Sequence, residues 1–172
     1  MFNLLKKLFP ICRSITGDGL KKSLYIVKSS LKKQDQKKFK IIKIKSGTKC
    51  YDWRFPKEWV IKDAFLLKRK KKIIDFKKNN LHIIGYSAPI KKIISKKKLL
   101  KKIFFLKNQK DAIPYITSYY KKAWGFCTSY NQYKFIDKKY DKNDKFKVVI
   151  KSKFKTEGSL CYGELLLKGR SK

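Results

Sequence analysis

Two short apolar stripes at helical spacing open the chain. The first predicts a short amphipathic helix and consists of Leu4, Leu5 and Leu8. Pro10 favours the end of this helix, because the residue before a proline avoids helical backbone angles. After a turn at residues 14–19, a second stripe predicts a core-facing helix with Asp18 as its N-cap, formed by Leu20, Leu24, Val27 and Leu31. Residues 32–36 are expected to form a polar connection.

From residue 38 the apolar period changes to alternation, which is typical of strands. Residues 38–45 alternate lysine with Phe or Ile and predict a strand that is closed by Ser46 and Gly47. Further strands of a sheet are expected at residues 61–67, 73–76 and 81–86, with a charged hairpin tip at 68–72.

The second half of the chain has shorter patterns. Ser95 is expected to cap a helix over residues 96–104. Residues 116–120 and 123–130 fit either short strands or a turn-rich loop of the kind found at active sites. A hairpin around residues 156–158 is predicted to join strands at 146–150 and 159–167.

Composition supports a folded chain and raises the question of a polyanionic partner. Of 172 residues, 42% are apolar and 15% aromatic, which excludes the composition of a disordered protein. The formal net charge is +35, which predicts weak, non-specific attraction to polyanions. Only four of the 47 basic residues are arginines. Arginine is the side chain best suited to bidentate recognition of phosphates and base edges. We therefore expect lysines on solvated faces, and no specific nucleic-acid binding.

Membrane and redox signals are weak. No apolar run approaches the roughly 20 residues of a membrane span, and the start of the chain lacks an uninterrupted signal-peptide core. We expect a cytoplasmic protein. The four cysteines are far apart and form no CxxC pair, so free thiols are expected, with two disulfides as the alternative; they are Cys12, Cys50, Cys127 and Cys161.

Catalytic chemistry is sparse. His82 is the one histidine, and the HExxH motif of zinc hydrolases is absent. A Ser-His-Asp or Cys-His site would also depend on His82 alone. We therefore assign no catalytic or metal-binding residue in this chain, and we expect His82 to be a hydrogen-bonded residue of the sheet.

Two stretches nevertheless combine hydroxyl groups with large aromatic rings, as binding loops do. These stretches contain Tyr119, Tyr120 and Trp124, and the neighbouring Gly125 permits close backbone approach. Together with His82, the three aromatic residues are candidate contacts for a substrate or a partner. Packing in the core is the favoured explanation of the same residues.

A series of short sequence motifs resembles those of a bacterial aminopeptidase-like family that is related to co-catalytic dizinc exopeptidases. The resemblance runs in order along nearly the whole chain. It is carried by LFPICRSITGDG at 8–19, SGTK at 46–49, Asp52-Trp53, PKEW at 56–59, DFKKNNLH at 75–82, GYS at 85–87, IPYITSYY at 113–120, WGFC at 124–127, GSL at 158–160 and YGEL at 162–165.

This resemblance implies an α+β fold in three parts. Residues 1–45 would begin an α/β zinc-peptidase-like core, residues 46–155 would form a β-rich inserted domain of unknown function, and residues 156–172 would return a strand to the core. In full-length relatives, zinc is implied by a Cys-His-Pro…Asn-Asp-Asn stretch that follows the segment equivalent to residues 163–166. This sequence stops before that stretch, so the resemblance assigns no metal ligand and no cofactor here.

Three functions follow as hypotheses. The first is an amino-terminal fragment of a zinc-dependent aminopeptidase-like hydrolase, produced by a truncated gene and inactive alone, which would take a peptide or amide substrate only in a full-length form. The second is a binding or assembly module that complements a separate carboxy-terminal partner chain. The third is a polyanion-binding protein, supported only by charge.

Overall fold

The computed structural model describes residues 1–169 and has an α+β fold. Its helices are α1 Phe2–Leu8, α2 Asp18–Ser30, α3 Lys33–Lys38, α4 Lys96–Leu100 and α5 Tyr130–Lys139. Its strands are β1 Lys40–Lys45, β2 Lys49–Cys50, β3 Trp53–Arg54, β4 Glu58–Lys68, β5 Lys71–Asp75, β6 Ile90–Ser95, β7 Ile103–Phe104, β8 Phe126–Cys127, β9 Lys145–Lys155 and β10 Ser159–Glu164. None of the helices in residues 1–169 is long and apolar enough to cross a bilayer.

The strands form one larger sheet and three pairs. The larger sheet has the order β5-β4-β9-β6. The strand β1 pairs antiparallel with β10, with Ile42 opposite Tyr162. The short strands β2 and β3 make a small hairpin, and β7 and β8 make a parallel pair.

The chain divides into two compact units, residues 1–59 with 154–169, and residues 60–153. The assignment of residues 1–45 and 156–172 to a peptidase-like core, and of residues 46–155 to an inserted domain, stays a prediction. Arg170, Ser171 and Lys172, which belong to the predicted return segment, lie outside the described residues.

In the first unit, α1 packs on α2, and α2 packs on the β1–β10 pair. Phe39 is buried because β10 carries Gly163 beneath it, where a Cβ atom would overlap the Phe39 ring. Trp59 is also buried, and its backbone N–H donates to Thr16 Oγ1 at 3.1 Å.

A buried carboxylate links three other residues of the first unit. Glu58 is almost fully buried, and Lys21 of α2 donates to its Oε2 at 3.0 Å. The backbone N–H of Ser159 donates to the same oxygen at 3.2 Å, and Lys155 Nζ lies 3.7 Å from Oε1. Burial alone would raise the pKa of Glu58, but the hydrogen bonds from Lys21 and Ser159 and the lysine charges outweigh it, so that the pKa lies below its usual value.

In the second unit, the four-stranded sheet supplies the core. The residues that it buries include Ala64, Leu66, Ile74, Phe146, Val148 and Ile150. The turn between β4 and β5 has Arg69 and Lys70 at φ 46° and 66°, the backbone that a tight two-residue hairpin requires. The hairpin tip predicted at residues 68–72 is therefore confirmed. Ion pairing also orders this unit, since Lys68 pairs with Asp144.

A buried lysine anchors α5. Lys96 Nζ donates to the backbone carbonyl of Asp137 at 2.7 Å and to that of Tyr140, and it lies 3.3 Å from Asp137 Oδ1. A cation at the carboxyl end of a helix satisfies carbonyl groups that have no partner within the helix and interacts favourably with the helix dipole. This contact explains how a lysine is accommodated in the interior.

Several predicted helical features need correction. Asp18 is the first residue of α2, and Gly17, at φ 90°, occupies the N-cap position. Gly17 is required there because a Cβ atom would lie 2.8 Å from the Trp59 carbonyl oxygen. The polar connection predicted at residues 32–36 contains the short helix α3. The helix predicted at residues 96–104 ends at Leu100, since the chain enters β7 at Ile103.

Two predicted strand features are wrong. Residues 81–86 form no strand; they contain the end of a 3₁₀ turn over Asn80–His82, in which Asn79 Oδ1 accepts the Leu81 N–H at 3.0 Å. The short strand β8 lies within residues 123–130, where short strands or a loop were expected, and α5 begins at the last of these residues and continues where no element was predicted. The predicted hairpin of residues 146–150 and 159–167 is replaced by separate sheets, because β9 lies between β4 and β6 while β10 pairs with β1.

Candidate functional site

The candidate contact residues lie in the second unit, on or near an irregular segment that we name the aromatic loop, residues 115–124. Backbone hydrogen bonds fasten it to residues 82–88. Gly85 N–H donates to the Ile116 carbonyl at 2.7 Å, and Ser118 N–H donates back to the Gly85 carbonyl at 3.0 Å. Ala88 N–H donates to the Ala123 carbonyl at 2.7 Å, near the other end of the loop. The loop therefore has a fixed base although it has almost no regular secondary structure.

Gly85 and Tyr86 shape this base. A Cβ atom at Gly85 would lie 3.2 Å from Thr117 Cγ2, so the glycine permits the close approach of the two segments. Tyr86 is fully buried at φ 62°, a left-handed conformation that is rare for an aromatic residue. Its ring meets the ring of Tyr119 edge to face, with centroids 4.9 Å apart. Tyr119 therefore helps to hold the loop on the buried tyrosine.

The exposed side of the loop is aromatic and cationic. Tyr120 is exposed, Trp124 is half-buried, and Lys102 Nζ lies 5.6 Å from the Trp124 ring centroid. The exposed residues Tyr115, Lys121 and Lys122 lie on the same loop. Such a surface can stack on or pack against a ligand, and it attracts negative charge.

The ring of His82 contacts the backbone of β8. Its Nδ1 is 2.8 Å from the Cys127 carbonyl oxygen, which fits a neutral ring with the proton on Nδ1. Burial lowers the pKa of His82, and this effect exceeds the opposing effects of the Cys127 carbonyl and the Asp75 charge. The ring is consequently neutral at pH 7 and joins the 3₁₀ turn to β8.

The structure thus places the four candidates in one unit but gives each a different neighbour. Tyr119 contacts Tyr86, Trp124 contacts Lys102, and His82 contacts Cys127, while Tyr120 extends into solvent. Sequence reasoning did not select Tyr86, Lys102 or the exposed Tyr115. The GYS stretch at 85–87 was the available signal for Tyr86, because a glycine beside a large aromatic residue indicates a tight backbone approach.

The residues present do not fit a zinc ion. Within residues 1–169, no group of three His, Cys, Asp or Glu side chains is assembled as a metal site. The four cysteines are free thiols, as expected. Burial raises the pKa of Cys12 to about 11 and that of Cys127 to about 12, which disfavours the thiolate that binds metal.

A concave surface lies in the first unit, between α1 and α2. It is a groove of about 630 Å³ whose lining includes Leu4, Lys7, Lys22, Tyr25 and Ile26. The side-chain hydroxyl of Ser29, at its edge, donates to the Tyr25 carbonyl at 2.8 Å. The groove is thus mainly apolar, with lysines in its lining and no acidic residue among the side chains named.

Comparison with known proteins identifies the second unit. Residues 58–153 match the family model described as a domain of unknown function, DUF2172. The chain belongs to the DUF2172 family. The match begins at the first residue of β4 and ends where the second compact unit ends, so the DUF2172 segment contains all four candidate contact residues.

A relative and a solved structure extend the similarity along the chain. A Clostridium acetobutylicum protein, provisionally named a polysaccharide biosynthesis protein with an aminopeptidase-like domain, is 44% identical over 170 residues, which is 98% of this chain. A crystal structure from the same organism, provisionally described as a peptidase, is 43% identical and has a TM-score of 0.80 over 94% of this chain. In each case the DUF2172-containing chain spans only 36% of the length of the protein that it matches.

Proposed function

We propose that this chain supplies the amino-terminal part of a zinc-dependent aminopeptidase-like hydrolase and has no hydrolytic activity alone. The observation that carries the proposal is the similarity at 43–44% identity, over nearly the whole chain, to proteins described as peptidase or aminopeptidase-like. The structure supports the second clause, because the side chains of residues 1–169 assemble no group suited to a metal ion. The metal ligands of the hydrolase would come from residues beyond those of this chain.

In this proposal, the aromatic loop of the DUF2172 segment contacts a peptide or amide substrate. The exposure of Tyr120 and the partial exposure of Trp124 support this role, because both offer apolar area to solvent from a base that is fixed by hydrogen bonds. Tyr119 and His82 act indirectly, since each is engaged with a neighbour within the unit.

Complementation tests the proposal. The chain is expressed alone and together with the segment of the Clostridium acetobutylicum relative that this chain does not match, and both preparations are assayed with a set of aminoacyl amides and excess Zn²⁺. We expect hydrolysis and bound zinc only when the two parts copurify, and the unmatched segment alone serves as the control. Stoichiometric zinc or hydrolysis with the chain alone would contradict the proposal.

Variants separate the role of the loop from that of the fold. Tyr120→Ala removes an exposed ring. It is expected to raise the KM of the copurified preparation without lowering the thermal stability of the chain, because the ring makes few contacts that folding needs. Tyr25→Ala, which alters an exposed tyrosine of α2, is the matched control. Equal KM values for the two variants would remove the aromatic loop from the site while leaving the hydrolase assignment intact.

A second candidate function is an assembly module for a carboxy-terminal partner chain. The observation that favours it is the β1–β10 pair, a sheet of only two strands within the described residues. Such a pair is marginal alone, and an open strand edge accepts a further strand. Copurification without hydrolysis in the complementation experiment would support this function over the first.

A further inference from the structure

The first helix has an apolar face that points to solvent. Phe2, Leu5 and Phe9 are 68%, 56% and 62% exposed. Their spacing of i, i+3 and i+7 places them within about 60° of arc on a helix. Leu8 lies about 90° around the helix from the middle of this face and is buried where α1 packs on α2. Only part of the apolar surface of α1 is therefore used by the fold.

A lysine flanks this face. Lys6 Nζ lies 4.6 Å from the centroid of the Phe2 ring, whereas Lys7 lies on the far side of α1 and lines the groove against α2. The first ten residues contain no acidic side chain. Large apolar residues on one side of a short helix, with ammonium groups beside them, are typical of helices that lie in a membrane interface. Lysine suits that position because its aliphatic stem extends along apolar groups while its ammonium group reaches the headgroups.

Charge favours an anionic bilayer over a second copy of this chain as the partner of the apolar face. A second copy of this chain would bring a net charge of +35 against another of +35, which opposes association. An anionic bilayer offers both an apolar layer for the phenylalanines and a negative surface for the lysines. Exposed apolar residues that cluster indicate an interaction site, whereas single scattered ones are normal on protein surfaces.

We infer that α1 attaches this protein to the surface of anionic lipid bilayers. Phe2, Leu5 and Phe9 enter the headgroup and upper acyl region, and Lys6 contacts the lipid phosphates. The attachment is peripheral and does not depend on the proposed hydrolase activity, because α1 lies outside the DUF2172 segment.

Vesicle cosedimentation tests the inference. The full chain is mixed with vesicles of phosphatidylcholine alone, or of about three parts phosphatidylcholine to one part phosphatidylglycerol, in about 0.1 M salt. We expect binding to the anionic vesicles only. The double variant Phe2→Ser with Leu5→Ser should bind at least about ten-fold more weakly, since two apolar side chains no longer leave water. Ile93→Ser, which alters a 68% exposed residue of β6, is the matched control and should bind as the parent does.

Two results would overturn the inference. The first is that the double variant binds as tightly as the parent. Lysine charge alone, rather than the apolar face, would then hold the chain on vesicles or on any polyanion. The variant Leu5→Trp keeps the face apolar and guards against a folding defect in the double variant. Its fluorescence should shift to shorter wavelength on anionic vesicles by more than that of the parent, and an unchanged spectrum would place α1 outside the bilayer.

Discussion

Removing the charge of Glu58 should measurably destabilise the protein. The Glu58 side chain is only 3% exposed and accepts hydrogen bonds from Lys21 Nζ and from the Ser159 backbone N–H. The substitution Glu58→Gln keeps the volume and one acceptor oxygen. It removes the negative charge and turns an amide NH₂ group toward one of the cations or toward the Ser159 N–H.

The expected loss follows from the burial of each partner. A hydrogen bond to a charged group contributes about 1.5–3 kcal/mol, and breaking a fully buried ion pair costs about 3–5 kcal/mol. Lys21 and Lys155 are 29% and 42% exposed, so water screens part of the attraction and supports the cations that remain. We therefore expect Glu58→Gln to lower the free energy of unfolding by about 2 kcal/mol, a value between these limits and that of a surface pair.

Glu157 supplies the matched control. It pairs with Lys45 at 3.3 Å, and both side chains are largely exposed. Exposed pairs contribute little, so Glu157→Gln should change the free energy of unfolding by less than about 0.5 kcal/mol. Both substitutions remove one negative charge from a strongly basic chain, and the comparison therefore cancels the effect of net charge.

Urea titration provides the assay. Far-UV circular dichroism and tryptophan fluorescence are both recorded, since Trp59 is buried beside Glu58 in the sequence and reports on the first unit. If Glu58→Gln and Glu157→Gln shift the transition by the same small amount, the buried network contributes no more than a surface ion pair, and the reasoning is refuted.

Three further outcomes follow from the same structure. The pKa of Glu58 is lowered in the folded protein, so the stability difference between the parent and Glu58→Gln should be constant above the ordinary carboxyl pKa of 4.5 and vanish as the pH falls through the lower folded value; urea titrations across acid pH measure it. Lys96→Met removes the cation that holds the end of α5 and should cost about 2 kcal/mol in thermal unfolding, whereas Lys97→Met, at an exposed neighbour, should cost almost nothing. Gly163→Ala crowds the Phe39 ring and should cost about 1–3 kcal/mol, and Phe39→Leu in the same chain should recover part of the loss if overlap is the cause.

Strong local patterns predicted the first part of the fold. The leucine stripe predicted α2, and the alternation at residues 38–45 matches β1 at Lys40–Lys45. The apolar stripe of α2 is half-buried along its length, and its period is therefore visible in the sequence, although the residue that α2 buries fully is Ser23. The strand predicted at residues 61–67 lies within β4, which extends further toward the amino terminus because Glu58 is held there by ionic and hydrogen-bond partners rather than by apolar contact.

The elements that were missed have weak periodicity. The helix α5 buries only Ile136, and its other residues are mostly polar or half-exposed. Its start is fixed by Ser129, whose side chain accepts the Gln132 N–H at 3.1 Å, a signal that requires the cap to be recognised before the helix. Lysines at Lys91 and Lys92 interrupt the apolar pattern of β6. The partners of β9 and β10 are long-range, and no local pattern specifies them.

The candidate site was predictable only in part. The aromatic stretches around Tyr119 and Trp124 stand out in the sequence because glycine and hydroxyl residues accompany them. The contacts of these residues with Tyr86 and Lys102 depend on how the loop folds back onto residues 82–88. His82 was predicted to be hydrogen-bonded, and it is, but in a turn rather than in a strand, because Asn79 caps the 3₁₀ turn.

The two positions at which the chain leaves and re-enters the first unit have a consequence for the order of folding. Lys155 Nζ lies 3.7 Å from Glu58 Oε1, although the whole second unit, residues 60–153, separates the two residues in the sequence. Closing a flexible loop of that length would cost about 4 kcal/mol in chain entropy. The neighbouring strands β4 and β9 remove most of that cost if their sheet forms beforehand. Residues 60–153 are therefore expected to fold before residues 1–59 and 154–169 come together.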